Sequence, residues 1–299
     1  MRVFLTGATG FIGSRIVPEL LGAGHQVLGL TRSDAGAQAL SQAGAEVHRG
    51  TLEDPASLQA GAEQADAVIH TAFDHNFSNF VANCEKDRRV ILAMGEVLAG
   101  SDRPLLVTSG TGLGDPGDGG PAREDVVNFD HPNPRKASEQ AAQDLLERGL
   151  AVSVMRLPQV HDTARQGLVS PYIDIARQRG YCAYLGEGRN RWPAAHVNDV
   201  ARLYVLALAH AQAGSRYHAV AEEGIAVRDI VQVLGEGLGM PVKSIGAEQA
   251  PDYFGWLAGF AGMDLLASSA WTRNTLKWQP TGPGMLDDLR RMDYASAAV

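Results

Sequence analysis

The chain has 299 residues, with 26 basic and 34 acidic side chains and a formal net charge of −8 at pH 7. Its 45% hydrophobic and 20% charged residues are typical of a folded globular chain. The acidic balance and the absence of a basic run argue against nucleic-acid binding. Cys84 and Cys182 lack metal-ligand spacing, and no apolar run reaches roughly 18 residues. We therefore expect a cytoplasmic protein with no metal site and no membrane segment.

Short apolar runs alternate with segments of helical periodicity in the first half of the chain. Strands are predicted at 2–6, 26–30, 45–48, 67–70, 105–108 and 151–155, and helices at 11–21, 35–42, 79–99 and 134–148. Continuous apolar strands are typical of a parallel sheet covered by helices on both faces. The order predicts an α/β fold, a Rossmann-type doubly wound parallel sheet, as a dinucleotide-binding domain over 1–158.

The order becomes less regular after residue 158. We predict that 159–299 forms a smaller, mainly substrate-binding part, with some segments returning to the Rossmann core. Helices are predicted near 170–179, 198–213, 227–238 and 285–292, and strands at 183–185 and 217–220. The glycine-rich loop 110–130 is a candidate flexible flap, and 254–270 a buried or lid-like segment.

A glycine-rich turn, TGATGFIG, lies between the first strand and the first helix at residues 6–13. Gly7 allows a tight turn, Gly10 lets the backbone approach a pyrophosphate, and Gly13 permits close packing of helix on strand. The helix N-terminus would present free N–H groups to the phosphates. The predicted pyrophosphate site consists of Gly7, Thr9, Gly10, Phe11, Ile12 and Gly13.

The GxxGxxG spacing resembles that of extended and atypical short-chain dehydrogenase/reductases of the NAD-dependent epimerase/dehydratase type. Four later segments fit the resemblance in order: VIHTA at 68–72, LVTSG at 106–110, MRLP at 155–158 and HVNDVA at 196–201. The resemblance implies a nicotinamide dinucleotide cofactor. It places six further residues beside that cofactor: Leu52, Thr71, Ala72, Phe73, Ser109 and Leu157.

The end of the second predicted strand bears on the choice of cofactor. An NAD site usually has an acidic residue there to hold the ribose 2′-hydroxyl, whereas this strand ends in Arg32 and Ser33. Arg32 can pair with a 2′-phosphate and Ser33 can hydrogen-bond to it, unless Arg32 is simply a solvated surface residue. The sequence favours NADP(H), while the nearby Asp34 leaves NAD(H) open.

The predicted catalytic centre departs from the family pattern. That pattern implies a serine on the substrate oxygen, a tyrosine as general acid/base and a lysine four residues after the tyrosine. Ser109 fits the serine, but the chain has no YxxxK, and Arg135 and Glu139 take the other two positions. Arg135 either pairs with Glu139 across one helical turn, or polarises a carbonyl or holds an anionic substrate.

A guanidinium keeps its proton at neutral pH, so a carbonyl reduction would need another proton source. Tyr172 and His161 are the candidates among the side chains, and water is the alternative. The predicted catalytic set is therefore Ser109, Tyr172, His161 and Arg135.

The expected partner is a small-molecule substrate, apolar or anionic, and the expected assembly is a monomer or homodimer. Arg189 and Arg191 are candidate contacts for a carboxylate or phosphate. A candidate apolar roof comprises four aromatic residues: Tyr253, Phe254, Trp256 and Trp271.

The sequence thus predicts an NADP(H)-dependent oxidoreductase acting on a small carbonyl or alcohol, with a non-standard proton donor. A sugar-nucleotide epimerase or dehydratase is an alternative, although its chemistry also relies on the missing tyrosine. A non-catalytic NADP(H)-sensing protein, similar to the NmrA-like branch, is the alternative from another functional class.

Overall fold

The computed structural model describes residues 1–295. Its strands are β1 (Arg2–Thr6), β2 (Gln26–Thr31), β3 (Glu46–Arg49), β4 (Ala67–His70), β5 (Leu105–Gly110), β6 (Val152–Leu157), β7 (Gln159–His161), β8 (Cys182–Leu185), β9 (Arg191–His196), β10 (Arg216–His218), β11 (Glu222–Ala226) and β12 (Val242–Ile245). Its α-helices are α1 (Gly13–Gly22), α2 (Asp34–Gln42), α3 (Pro55–Glu63), α4 (Phe80–Leu98), α5 (Lys136–Glu147), α6 (Val169–Arg179), α7 (Val197–His210), α8 (Val227–Leu238), α9 (Ala250–Phe254), α10 (Ala258–Ala261), α11 (Ala270–Leu276) and α12 (Met285–Arg291).

Seven strands form one parallel sheet in the order β10-β6-β5-β4-β1-β2-β3. Since β1 pairs with both β2 and β4, the strand order reverses beside β1. Ligands of open α/β sheets bind at such a switch point, outside the carboxyl ends of the strands. The predicted Rossmann-type fold is confirmed, and Gly7 and Ser109 lie at that edge of the sheet.

Both faces of the sheet are buried, which explains why its strands are apolar throughout. Val3 and Leu5 belong to the hydrophobic cluster that includes residues of α1 and α7. Phe4, between them, belongs to the opposite cluster with residues of α3, α4 and α5. Alternate side chains of one strand therefore supply two cores.

The C-terminal half has a third hydrophobic core, between α6, α8, α9 and α12 and two small sheets. One sheet has the order β11-β9-β7, and the other is the parallel pair β12-β8. However, α7 and β10 pack on the Rossmann sheet, and Trp278 joins its core. The division at residue 158 stays a prediction. No helix within residues 1–295 is both long and apolar enough to span a membrane.

Candidate active site

The glycine-rich turn fits tightly against the loop that follows β4. Gly7 has φ +67°, and a Cβ built on it would lie 2.6 Å from Thr71 Oγ1 and 2.8 Å from the Ala72 nitrogen. A Cβ on Gly13 would lie 2.0 Å from the Gly7 carbonyl oxygen. A Cβ on Gly10 would meet only that oxygen, at 3.1 Å, so its outer face is open. Packing therefore requires Gly7 and Gly13, while Gly10 leaves room for a pyrophosphate at the start of α1.

The other residues predicted to bind the cofactor divide between surface and core. Thr9 is exposed, whereas Phe11, Ile12 and Leu157 are half-buried against the core beneath α1. Leu52 packs on the opposite core. These positions form the flanks of the crevice at the carboxyl ends of the strands, so the residues present fit a dinucleotide.

Arg32 and Ser33 are exposed after β2, at the end of the crevice where an adenosine ribose would bind. Ser33 Oγ accepts a hydrogen bond from the Gly36 nitrogen at 3.1 Å and thereby caps α2. The carboxylate of Asp34 pairs with Arg49 at 2.5 Å. Arg32 forms no ion pair with any residue of 1–295.

Ser109 lies near the carboxyl end of β5, where Gly110 is the last residue. The serine is 3% exposed, and its Oγ has no hydrogen-bond partner within the part of the chain that the structure describes. An unpaired buried hydroxyl costs about 1–3 kcal/mol. A hydrogen bond with a ligand oxygen would remove that cost.

Arg135 immediately precedes α5, and its guanidinium extends back to β5. Its Nη2 donates to the Thr108 carbonyl oxygen at 3.0 Å, and Nη1 lies 3.2 Å from Asp87 Oδ2. The guanidinium carbon sits 3.7 Å from the centroid of the Phe73 ring. Nη1 itself is buried and makes no hydrogen bond to residues 1–295. Pairing of Arg135 with Glu139, one of the two roles considered for Arg135, does not occur, because Arg135 pairs with Asp87 and Glu139 pairs with Arg156.

Asp87, on α4, is the anion that holds Arg135. Its carboxylate accepts hydrogen bonds from His70 Nε2 at 3.0 Å and Ser138 Oγ at 2.6 Å. Burial acts to raise the pKa of Asp87, but Arg135, His70 and Ser138 outweigh it and hold that pKa below its ordinary value. Asp87 is therefore a buried carboxylate, charged at neutral pH.

The same network reaches the glycine-rich turn through Thr6. Thr6 Oγ1 accepts the N–H groups of Thr71 at 3.1 Å and Ala72 at 3.2 Å, and it lies 2.8 Å from His70 Nδ1. With both lone pairs occupied, the hydroxyl donates to His70 Nδ1, which assigns the imidazole proton to Nε2. His70 thus donates to Asp87, and a continuous chain of buried polar groups links the cofactor crevice to Arg135.

Glu139 occupies the position of the family's lysine and forms a fully buried pair with Arg156. Both N–O distances are 2.7 Å, and both side chains are 0% exposed. Arg156 Nη1 also lies 3.2 Å from His218 Nε2. Glu139 is thereby engaged within the protein and is not open to the crevice.

Tyr172 and His161 lie outside this network. The hydroxyl of Tyr172 donates to the Ala183 carbonyl oxygen at 2.8 Å and accepts from its nitrogen at 2.7 Å, and burial raises its pKa. This position does not fit the predicted role of proton donor. His161 is fully buried, with Nδ1 2.7 Å from Asp288 Oδ2, and burial lowers its pKa. Its contacts are with Asp288, His196 and Glu222, not with Ser109 or Arg135.

An aromatic cluster joins the loop after β4 to the C-terminal half. The rings of Phe77 and Trp256 are stacked, with centroids 4.1 Å apart and an interplanar angle of 5°. Three more rings contact this pair or each other: Phe73, Phe80 and Phe260. We call these five residues the aromatic bridge. It lies over Arg135, since Phe73 covers the guanidinium.

Of the predicted roof residues, only Trp256 belongs to the aromatic bridge. Tyr253 and Phe254 are buried in the third core, and Trp271 stacks on Tyr217 beside the edge strand β10. Arg191 is paired with Asp264 at 2.6 Å, which leaves it poorly placed for the predicted role in anion binding.

A cavity of about 430 Å³ lies between the loop after β5 and residues 263–266. Its lining residues are Gly112, Asp115, Gly117, Gly119, Gly120, Ala122, Asn128, Asp130, His131, Pro132, Met263, Asp264, Leu265 and Leu266. The loop predicted to be a flexible flap is tied to the C-terminal half, because the Ala122 nitrogen donates to Leu266 at 2.8 Å and the Ser268 nitrogen to Ala122 at 2.9 Å.

A sequence model of the NAD dependent epimerase/dehydratase family matches residues 3–221. The chain belongs to this family. The family resemblance inferred from the sequence motifs is thereby confirmed, together with an NAD(P)-binding Rossmann fold.

Several similar proteins align with most or all of this chain. An uncharacterized protein of Schizosaccharomyces pombe is 45% identical over 98% of this chain and 100% of its own length. A 4-hydroxy-2-methyl-3-oxo-4-farnesyl-3,4-dihydroquinoline-1-oxide ketoreductase of Stigmatella aurantiaca is 26% identical over 81% of this chain and 75% of its own. The fold is also similar to that of Thermus thermophilus UDP-glucose 4-epimerase, solved in complex with NAD. The two structures match over 100% of each chain, with a TM-score of 0.76 and 22% sequence identity.

Asp87 was missed by the sequence reasoning, although the sequence holds a signal for it. Buried positions of α4 include Asn83, Asp87, Val90 and Met94, so the carboxylate lies within the helix's apolar stripe. A charge at such a position requires a buried partner.

Proposed function

We propose that the chain is an NADP(H)-dependent oxidoreductase acting on a small, largely apolar carbonyl or alcohol. The observation that carries the proposal is the unbonded, buried Oγ of Ser109 at the carboxyl end of β5. A nicotinamide dinucleotide held in the crevice by the glycine-rich turn would supply hydride transfer to or from the substrate carbon. Ser109 hydrogen-bonds the substrate oxygen and fixes which carbon is presented.

Arg135 supplies positive charge near the same oxygen. Its guanidinium is held by Thr108 and Asp87, so little reorganisation is needed as negative charge develops on a carbonyl. Because a guanidinium does not release its proton at neutral pH, the proton of the alcohol product comes from water. This division of labour replaces the tyrosine and lysine of the family pattern.

The preference for NADP(H) rests on the end of β2. Asp34, the acidic residue nearest to the ribose position, is neutralised by Arg49. Arg32 is exposed and forms no ion pair within residues 1–295, so it is free to meet a 2′-phosphate.

Two observations favour a ketone over a sugar nucleotide. The cavity has three aspartates and no lysine or arginine among its described lining residues, and a diphosphate would be repelled there. The relative from Stigmatella aurantiaca that spans most of this chain is described as a ketoreductase.

The alternative of an NADP(H)-binding sensor without turnover also has a structural argument. Both residues at the positions of the family's tyrosine and lysine, Arg135 and Glu139, are engaged in ion pairs. A sensor would bind NADPH and reduce no carbonyl, which gives the two functions opposite outcomes in one assay.

The test is NADPH oxidation with a panel of ketones and aldehydes. We expect turnover by the unmodified protein, and a loss of about 10²–10³-fold in kcat for Ser109→Ala with NADPH affinity unchanged. Ser41→Ala, on the exposed face of α2, is the matched control and should retain full activity. NADPH binding without oxidation of any carbonyl would favour the sensor, and equal rates for Ser109→Ala would remove the serine from the reaction.

A further inference from the structure

His131 is a buried residue, and one of its ring nitrogens has no hydrogen-bond partner within residues 1–295. The residue is 9% exposed and lines the cavity beyond β5. Its Nδ1 accepts the Asn133 N–H at 3.1 Å, so the neutral ring carries its proton on Nε2. Burial lowers the pKa of His131, against the opposing influence of Asp115, which keeps the ring neutral at physiological pH.

The free edge of this ring faces the lining of the cavity. A Cβ built on Gly112 would lie 3.6 Å from His131 Cε1 and 3.7 Å from Nε2, and Gly112 itself lines the cavity. Nε2 has no hydrogen-bond partner among residues 1–295. Gly112 lies within the short turn Thr111–Gly114, three residues after Ser109. Gly112 thus brings the cavity lining to within three residues of Ser109 along the chain, and His131 offers the cavity an oriented N–H donor.

The charges around the cavity select against anions. Of the three acidic lining residues, Asp264 is paired with Arg191, whereas Asp115 and Asp130 form no ion pair within the described chain. Met263, Leu265 and Leu266 supply apolar surface from the opposite side. A donor in a cavity that also holds two unpaired carboxylates favours a neutral acceptor, since a ligand carboxylate would meet net negative charge.

We infer that this cavity binds the part of the substrate beyond the reacting carbonyl, as a neutral apolar group with one hydrogen-bond acceptor, such as an ester or amide. His131 Nε2–H donates to that acceptor. Asp115 and Asp130 exclude the corresponding carboxylate. The inference rests on the proposed function and restricts its substrate class to uncharged molecules.

The test compares β-keto ethyl esters with the matching β-keto acids, using ethyl benzoylacetate and benzoylacetate as the first pair. Binding to the NADP⁺-loaded protein is measured by calorimetry, and reduction is measured by NADPH oxidation. We expect the ester to bind at least about tenfold more tightly than the acid. Asp130→Asn should reduce the ratio of the acid's dissociation constant to that of the ester severalfold. The affinity for the ester should stay unchanged.

Two variants at His131 test the hydrogen bond to the ligand, and NADPH affinity reports whether loss of the Asn133 contact disturbs the fold. His131→Phe keeps a ring of similar size and should weaken ester binding about tenfold, with NADPH affinity unchanged. His131→Gln retains an N–H donor and should restore most of the affinity. Equal ester binding by His131→Phe and the unmodified protein, or preference for the acid, would overturn the inference.

The two readouts separate this inference from the proposed function. Reduction of the ester together with unchanged binding in His131→Phe leaves the oxidoreductase standing and removes the role of His131. If ester binding depends on His131 but no NADPH is oxidised, the role of His131 stands and the proposed oxidoreductase function falls. Failure of the unmodified protein to bind any ester of the series overturns the inference directly.

Discussion

Glu139 and Arg156 form a two-point ion pair between α5 and β6 in which neither side chain is exposed to solvent. Arg156 is the register partner of Ser109 on the neighbouring strand, so the pair lies beside the candidate catalytic serine. A second cation, Arg216, approaches the Glu139 carboxylate at 3.4 Å. One buried carboxylate on α5 thus binds cations from both β6 and β10.

Removing that carboxylate should destabilise the protein strongly. Glu139→Gln leaves Arg156 buried without its counter-ion, and we expect the free energy of unfolding to fall by about 3–5 kcal/mol. Urea denaturation measures the change. Glu46→Gln breaks the exposed pair with Arg2 at 2.8 Å and should cost no more than about 1 kcal/mol. Similar losses for the two variants would contradict the role given to the buried pair.

His218 should make the protein sensitive to mild acid. Its Nδ1 donates to the Ser268 carbonyl oxygen at 2.7 Å and its Nε2 accepts from Arg156, an arrangement that only the neutral ring can make. Burial, with Arg156, lowers the pKa of His218 to about 3. The unfolded chain then binds a proton below about pH 6.5 that the folded chain does not, so stability is lost as pH falls through that range.

From pH 7 to pH 5 this group alone should remove about 2 kcal/mol of stability. Urea denaturation of the unmodified protein and of His218→Gln at both pH values measures the contribution of His218 to this loss of stability. The variant is less stable at pH 7 but should show a smaller pH dependence. An identical pH dependence in the two proteins would exclude His218 as the responsible group.

Arg32→Asp should reverse the choice of cofactor. Loss of a charge-assisted contact and gain of a repelling carboxylate should weaken NADPH binding about 10–100-fold, while NADH binding improves. Quenching of NADPH and NADH fluorescence gives both dissociation constants. Arg148→Asp, an exposed change beyond α5, controls for net charge. Tighter binding of NADH than NADPH by the unmodified protein would refute the assignment.

Two glycines of α1 should respond in opposite ways to the same substitution. Gly13→Ala places a methyl group 2.0 Å from the Gly7 carbonyl oxygen, and we expect a loss of about 1–3 kcal/mol in stability and of NADPH binding. Gly22→Ala meets no atom within 4 Å and should be neutral or stabilising by about 0.4–1 kcal/mol. Thermal unfolding with and without NADPH distinguishes the two, and equal effects would argue against the tight contact at Gly13.

The Rossmann half could be predicted because its signals are local. Strands buried on both faces are continuous apolar runs, and the glycine turn has fixed spacing. The strands β9 and β11 were missed because Pro193 interrupts one and Glu222 and Glu223 begin the other. They are strands because they pair with each other and bury Trp192 and Ile225. Such tertiary pairing cannot be inferred from the local strand propensity of either segment.

The candidate site could be predicted only where a motif marks it. Ser109 lies near the end of an apolar strand in a family segment, which is why the sequence proposes it, and its place at the carboxyl end of β5 agrees with that segment. The partner of Arg135 was not, because the i,i+4 rule applies only when both residues lie within a helix. Arg135 precedes α5, and the fold brings it to Asp87 on α4 instead.

The stacked rings of Phe77 and Trp256 have a practical consequence. Trp256 is 40% exposed and touches a residue of the loop after β4, so its indole senses the separation between that loop and the C-terminal half. Any opening of the crevice that parts the two rings alters the indole's surroundings. In a variant whose other tryptophans, Trp192, Trp271 and Trp278, are replaced by phenylalanine, Trp256 is an intrinsic fluorescent label, and its stopped-flow emission would time each opening without a chemical tag.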